Sequence, residues 1–296
     1  METSEMIALR ELLAANPRPR TLEEQRERME AVTAVDSVDH DISLIAVNAG
    51  GVPGEWSLAP GADVARVLLF LHGGGYCVGS IRSHRTMVTG AGRAAGIRTL
   101  AIAYRLAPEH PFPAALEDAE AAYRFLLAHD YTGSQIVVGG DSAGGGLTLA
   151  LLQTLRAKGL PPPACAWLVS PWVDLEMTGA SMDSKDAVDP LIHRPYLQQL
   201  AEAYLAGGTS PRSPLVSPLH ADLTGLPPIL IQVGSCETLL DDSVRLTGRL
   251  AAGDVKVRLS VYPQMIHAWP IWYHRLTEGR RALTEAGAFI SRWIRT

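Results

Sequence analysis

The sequence predicts an α/β fold, with a mostly parallel central sheet flanked by helices on both faces and a helical cap over one edge. Three observations lead there. Short β-branched runs recur from about residue 42, as ISLIAV, ARVLLFL, RTLAIAY, QIVVGG, ACAWLVS, PPILIQV and VKVRLSVY. Longer Ala- and Leu-rich segments, such as 114–128 and 143–158, lie between them. Apolar runs of strand length alternating with helices imply parallel strands covered on both faces. The third observation is that this rhythm breaks at 178–215, where MTGASMDSKDAVDP, a helical patch through YLQQLAEAYL and GGTSPRSPLVSP follow one another. A length of 296 residues, 47% of them hydrophobic, is enough for one large core with a small lid.

In chain order, residues 4–15 and 21–34 carry apolar positions at helical spacing and are separated by NPRPR, whose prolines end the first helix. These N-terminal helices (1–40) and the insertion (178–215) are expected to cap the carboxyl edge of the sheet, where open α/β sheets bind ligands. Residues 41–177 and 216–296 form the sheet-bearing body.

Strand ARVLLFL ends in His72-Gly73-Gly74-Gly75. Backbone without side chains can approach a ligand closely, so the amides of Gly73 and Gly74 are expected to hold a developing oxyanion, with His72 fixing the loop. After strand IVV comes Gly140-Asp141-Ser142-Ala143-Gly144 and then a helix. A G-x-S-x-G between strand and helix reads as a nucleophile elbow, with the Ala143 amide as a third oxyanion donor.

A serine hydroxyl needs a base, and the base needs an orienting acid. His267 follows the strand VKVRLSVY and is the expected base; His193, His220 and His274 fall in the cap, its return segment or further along. Glu237, first after the strand PPILIQV, is the preferred acid, with Asp241 and Asp242 one turn on and Asp174 as a remote alternative. Tyr76, Trp172 and Leu239 are expected pocket walls.

HGGG at 72–75, YRLAPEHPFPAALED at 104–118, GDSAGG at 140–145 and SPWVDL at 170–175 closely resemble the bacterial hormone-sensitive-lipase-like carboxylesterases of the α/β-hydrolase superfamily. The likeness runs from about residue 40 to the end. It implies an α/β-hydrolase fold and an esterase with triad Ser142, Glu237 and His267 and an oxyanion hole of Gly73, Gly74 and Ala143. It also implies small ester substrates of short to medium acyl length, with no metal or organic cofactor. Where this chain has Glu237-Thr238-Leu239, the family more often shows Asp-Pro-Leu. Tyr104 or Glu109 is expected to brace the oxyanion loop. As in many relatives, the last strand's edge near 255–262 is expected to pair chains into a dimer.

Two other readings use the same residues: an amidase or deacetylase, and a non-catalytic receptor for a small ligand. A net charge of −5 with no basic run supplies no broad positive field for phosphate backbones, so no nucleic-acid partner is expected. Cys77, Cys165 and Cys236 are odd in number and lack ligand spacing, so neither disulfide nor zinc is expected, and a reducing cytoplasm is. The acidic N-terminal stretch does not read as a signal peptide. No run approaches the ~20 apolar residues of a membrane span.

Overall fold

The computed structural model describes residues 3–33 and 36–294. Its elements follow in order as α1 (Ser4–Ala15), α2 (Leu22–Thr33), β1 (Ser43–Ala49), β2 (Val52–Leu58), β3 (Asp63–Leu71), α3 (Ile81–Ala95) and β4 (Ile97–Ile102). Then come α4 (Ala114–Ala128), β5 (Ile136–Asp141), α5 (Ala143–Ala157), β6 (Cys165–Val169), α6 (Ser181–Ser184) and α7 (Arg194–Tyr204). The chain closes with β7 (Ile229–Gly234), α8 (Leu240–Ala252), β8 (Val257–Tyr262) and α9 (Thr277–Trp293). Residue 34, where the sequence places the end of the second helix, lies outside the described residues. Among the described residues no helix is long and apolar enough to cross a membrane.

The strands form one sheet in the order β1-β2-β4-β3-β5-β6-β7-β8. From β4 to β8 every pairing is parallel, whereas β1 with β2 and β2 with β4 are antiparallel. The sequence reading does not contain β2. Pro53 and Gly54 argue against a strand, but Pro53 stands at its start, where only its carbonyl is needed, accepting the Ala103 amide at 2.8 Å.

Side chains alternate across the sheet as the two-residue strand period requires. Val67, Leu69 and Leu71 of β3 share one core with Ala119 and Leu126 of α4 and Leu147 and Leu151 of α5. Leu68 and Phe70 point the other way, into a core with Val88 of α3, Leu283 and Ile290 of α9, and Met6 and Leu9 of α1. β5 is buried along its whole length. Because β3, β5, β6, β7 and β8 lie side by side in parallel, the loops that leave their carboxyl ends gather at one edge. Those loops carry His72, Ser142, Asp174, Glu237 and His267.

Candidate active site

Ser142 joins β5 to α5 with φ +54° and ψ −122°, a conformation strained for a residue with a side chain. The turn is held by backbone bonds. Its amide donates to Val169 O at 2.9 Å, and its carbonyl accepts from Trp172 at 2.9 Å and Gly145 at 3.0 Å. Glycine is required at 144, because a Cβ there would stand 1.9 Å from the Leu71 carbonyl oxygen. The result puts a serine side chain at the positive N-terminal end of a fifteen-residue helix, with the Ala143 amide beside it.

His267 and Glu237 come together from loops after β8 and β7. His267 Nδ1 donates to Glu237 Oε2 at 2.9 Å, and Glu237 Oε1 accepts the Gly234 amide at 2.9 Å. Glu237 is fully buried. Burial pushes its carboxyl above the usual range, with the bond and charge of His267 working against that rise. At His267 burial opposes the charged ring, but the bond and charge of Glu237, helped by Asp189 and Asp141, outweigh it and raise its pKa. With Nδ1 committed to the carboxylate, Nε2 is the nitrogen left to exchange a proton, and Ser142 and His267 line the same cavity.

The other acids do different work. Asp242 accepts the amides of Val173 and Asp174 at 2.9 and 3.1 Å and pairs with Arg245. Asp241 accepts the Ser181 amide. Asp174 is tied to Thr178 and Arg245, and His220 faces it at 4.0 Å, outside the cavity. His193 pairs with Asp186 at the surface. None of these carboxylates reaches His267.

The loop after β3 differs from expectation at one residue. The Gly73 amide donates to Asp141 Oδ1 at 2.9 Å, so it is already committed. Gly74 and Gly75 line the cavity instead, and Gly73 does not. Among the described residues no acceptor engages the amides of Gly74, Gly75 or Ala143. Those three, not Gly73, Gly74 and Ala143, are available to a developing negative charge. Gly75 has φ +61°, and a Cβ there would lie 2.2 Å from Leu200 Cδ1, so the insertion packs directly on this loop.

Sequence reasoning missed the anchor, Asp141. Fully buried, it also accepts from His84 Nε2 at 3.2 Å. Burial alone would raise its carboxyl, but the charge and bond of His84 hold it below the usual value. The signal was present, since an aspartate at the end of an apolar strand needs a buried partner. Tyr104 braces the loop as expected, donating to His72 O at 2.6 Å and stacking on the His72 ring at 4.2 Å. Glu109 acts at one remove, gripping Arg26, whose Nε donates to Cys77 O at 2.9 Å. His72 is pushed down to about 3 by burial and by His84, so it stays neutral and fits a structural part.

The cavity, of about 730 Å³ including its mouth, is roofed by two segments remote in sequence. Met29 and Val32 come from α2, and Ile192, Leu197 and Leu200 from the insertion. The three expected walls are not among its lining residues. Tyr76, Trp172 and Leu239 are buried in the core behind it, Tyr76 stacking on Tyr204 at 3.8 Å. Their side chains are taken up within that core, the Tyr76 and Trp172 ring centres lying 6.2 Å apart and Trp172 Nε1 donating to the Asp174 carbonyl at 3.1 Å.

Residues 68–271 match the family model described as the alpha/beta hydrolase fold. An acetyl-hydrolase of Streptomyces hygroscopicus is 44% identical over 297 residues, spanning 98% of this chain and 97% of its own. The crystal structure of an esterase from the bacterial hormone-sensitive lipase family superposes with a TM-score of 0.97 at 45% identity, covering 100% of both chains. A crystal structure of EstE5 soaked with p-nitrophenyl butyrate gives a TM-score of 0.94 at 40% identity, over 99% of each chain.

Proposed function

Since the chain belongs to the bacterial hormone-sensitive-lipase family of α/β-hydrolase-fold esterases, we propose that it cleaves esters of short to medium acyl chains through an acyl-enzyme on Ser142. That it is a carboxylic ester hydrolase leaves no place for the receptor reading.

One observation carries the proposal. A strained serine and a histidine held by a buried glutamate at 2.9 Å share one cavity with free amides. In the mechanism, His267 Nε2 takes the Ser142 proton as Oγ attacks the ester carbonyl. Glu237 stabilises the imidazolium, and the amides of Gly74, Gly75 and Ala143 receive the oxyanion. The alkoxide departs with the proton from His267. Water then gives a proton to the same nitrogen and attacks the acyl carbon, and His267 returns that proton to Ser142 Oγ as the acid is released. The name of the acetyl-hydrolase relative supports the short end of the acyl range. Residues 1–40 and 178–215 serve as the cap in this reading, over a body formed by 41–177 and 216–296.

The test is kcat/KM on p-nitrophenyl acetate, butyrate, octanoate and palmitate between pH 5.5 and 9. The expected maximum lies at acetate to octanoate, and a maximum at palmitate contradicts the proposal. The pH dependence has a definite sign. His267 works unprotonated and its pKa is raised, so kcat/KM should climb with pH through a midpoint above the ordinary histidine value of about 6.5. A profile flat or falling from pH 6 to 8 excludes His267 as the base.

The proposal includes a homodimer formed at β8, supported by its place at the end of the sheet order, where among the described residues its outer edge has no neighbouring strand. A mass near twice the monomer's 31.8 kDa in light scattering is expected, and a monomer mass rejects it.

A further inference from the structure

Two arginines stand in the wall of this otherwise largely apolar cavity. Arg18 and Arg28, from the connection before α2 and from α2 itself, line it together with Ser142 and His267. Both are half-buried. The Arg18 guanidinium lies 3.4 Å from the centre of the Tyr196 ring, and one Nη donates to the Leu191 carbonyl. Arg28 Nε donates to Asn16 O at 2.5 Å. Among the described residues their remaining donors meet no acceptor, and neither arginine is paired with a carboxylate.

The contrast with their neighbour is informative. Arg26, on the same helix, grips Glu109 at 2.8 Å. Asp189 is the carboxylate that acts on Arg18 through space, but it already accepts the amides of Leu191, Ile192 and Thr238. Burial disfavours both guanidinium charges, and that of Arg28 adds to the penalty at Arg18. Arginine does not escape such a site by losing its proton, so the charge stays, and an anion in the cavity would offset it. Guanidinium donors suit a carboxylate, which they can bind through paired hydrogen bonds.

We propose that Arg18 and Arg28 form a carboxylate-binding subsite on the cap side of the cavity, and that the preferred substrates are esters bearing a carboxylate away from the scissile bond. The inference rests on the reading of this cavity as the esterase site. Neutral esters are cleaved by the same serine without help from the subsite. A purely structural part for Arg18, tying the N-terminal segment to the insertion through Leu191, would favour no substrate charge.

The experiment compares two matched pairs of esters. Mono-4-nitrophenyl adipate against 4-nitrophenyl hexanoate puts the carboxylate on the acyl side, and 4-acetoxybenzoate against its methyl ester puts it on the alcohol side. The chain is measured beside the double variant Arg18→Met/Arg28→Met and the charge-keeping Arg18→Lys/Arg28→Lys. In at least one pair, the ratio of kcat/KM for the anionic over the neutral ester should fall about 10- to 100-fold in the Met variant, through KM, and recover partly in the Lys variant. Added salt should raise the wild-type KM for that anionic ester more than for its neutral partner. Equal losses on both members of each pair, or unchanged ratios, overturn the subsite. So does a wild type that cleaves the neutral esters and ignores both anionic ones. A chain inert on all four overturns the reading of the cavity itself, and the subsite with it.

Discussion

Ser142→Ala is expected to hydrolyse p-nitrophenyl butyrate about 10⁴- to 10⁶-fold more slowly than the unaltered chain, while keeping its fold. The size follows from losing covalent catalysis outright. Without Oγ no acyl-enzyme forms, and only the amides and the binding cavity remain to stabilise attack by water. Alanine keeps the Cβ and cannot relieve the φ of +54°, so the turn should survive. Circular dichroism and thermal unfolding beside the rate measurement separate lost chemistry from lost structure. A folded variant with activity within about tenfold of wild type would remove Ser142 from the mechanism.

Glu237→Gln is expected to lower kcat about 10³- to 10⁴-fold, because a neutral amide cannot stabilise the imidazolium and can hold the ring in the wrong tautomer. The geometry is specific on this point. Glu237 Oε2 is 2.9 Å from His267 Nδ1, whereas Asp241 and Asp242 are spent on the Ser181 amide and on the turn after β6. Asp241→Asn should therefore leave kcat near wild type. A second readout belongs to Glu237 alone. Its bond and charge raise His267, so in Glu237→Gln the rise of kcat/KM with pH should move to lower pH. If Asp241→Asn proves as damaging as Glu237→Gln, the acid has been assigned to the wrong loop.

Much of this arrangement could be read from residue order. The strand runs from ARVLLFL to VKVRLSVY coincide with β3 to β8, and the helices 114–128 and 143–158 with α4 and α5 to within a residue. Apolar period and glycine placement are local properties, so a linear reading reaches them. Glu237 and His267 were also accessible, because parallel strands bring successive loops to one edge. Three things were not. β2 was hidden by Pro53-Gly54, which this strand tolerates because Pro53 stands at its start and uses only its carbonyl. The choice between Gly73 and Gly75 turned on Asp141, whose carboxylate claims one amide, and only three-dimensional proximity reveals which. Tyr76, Trp172 and Leu239 stand next to functional residues in sequence but pack in the core, where the Tyr76 ring stacks on Tyr204, a residue more than a hundred positions away. The walls came instead from α2 and the insertion, whose helical patterns say nothing of what they cover.

The central claim is that Ser142 forms the covalent bond to the acyl group. It is tested most directly by treating the folded chain with phenylmethylsulfonyl fluoride and locating the adduct by peptide mass spectrometry. The account predicts one sulfonyl group, on the peptide that carries Ser142, formed in step with loss of esterase activity and absent when Ser142→Ala is treated in the same way. Complete inactivation with that serine unmodified, or with the label on another residue, would contradict it.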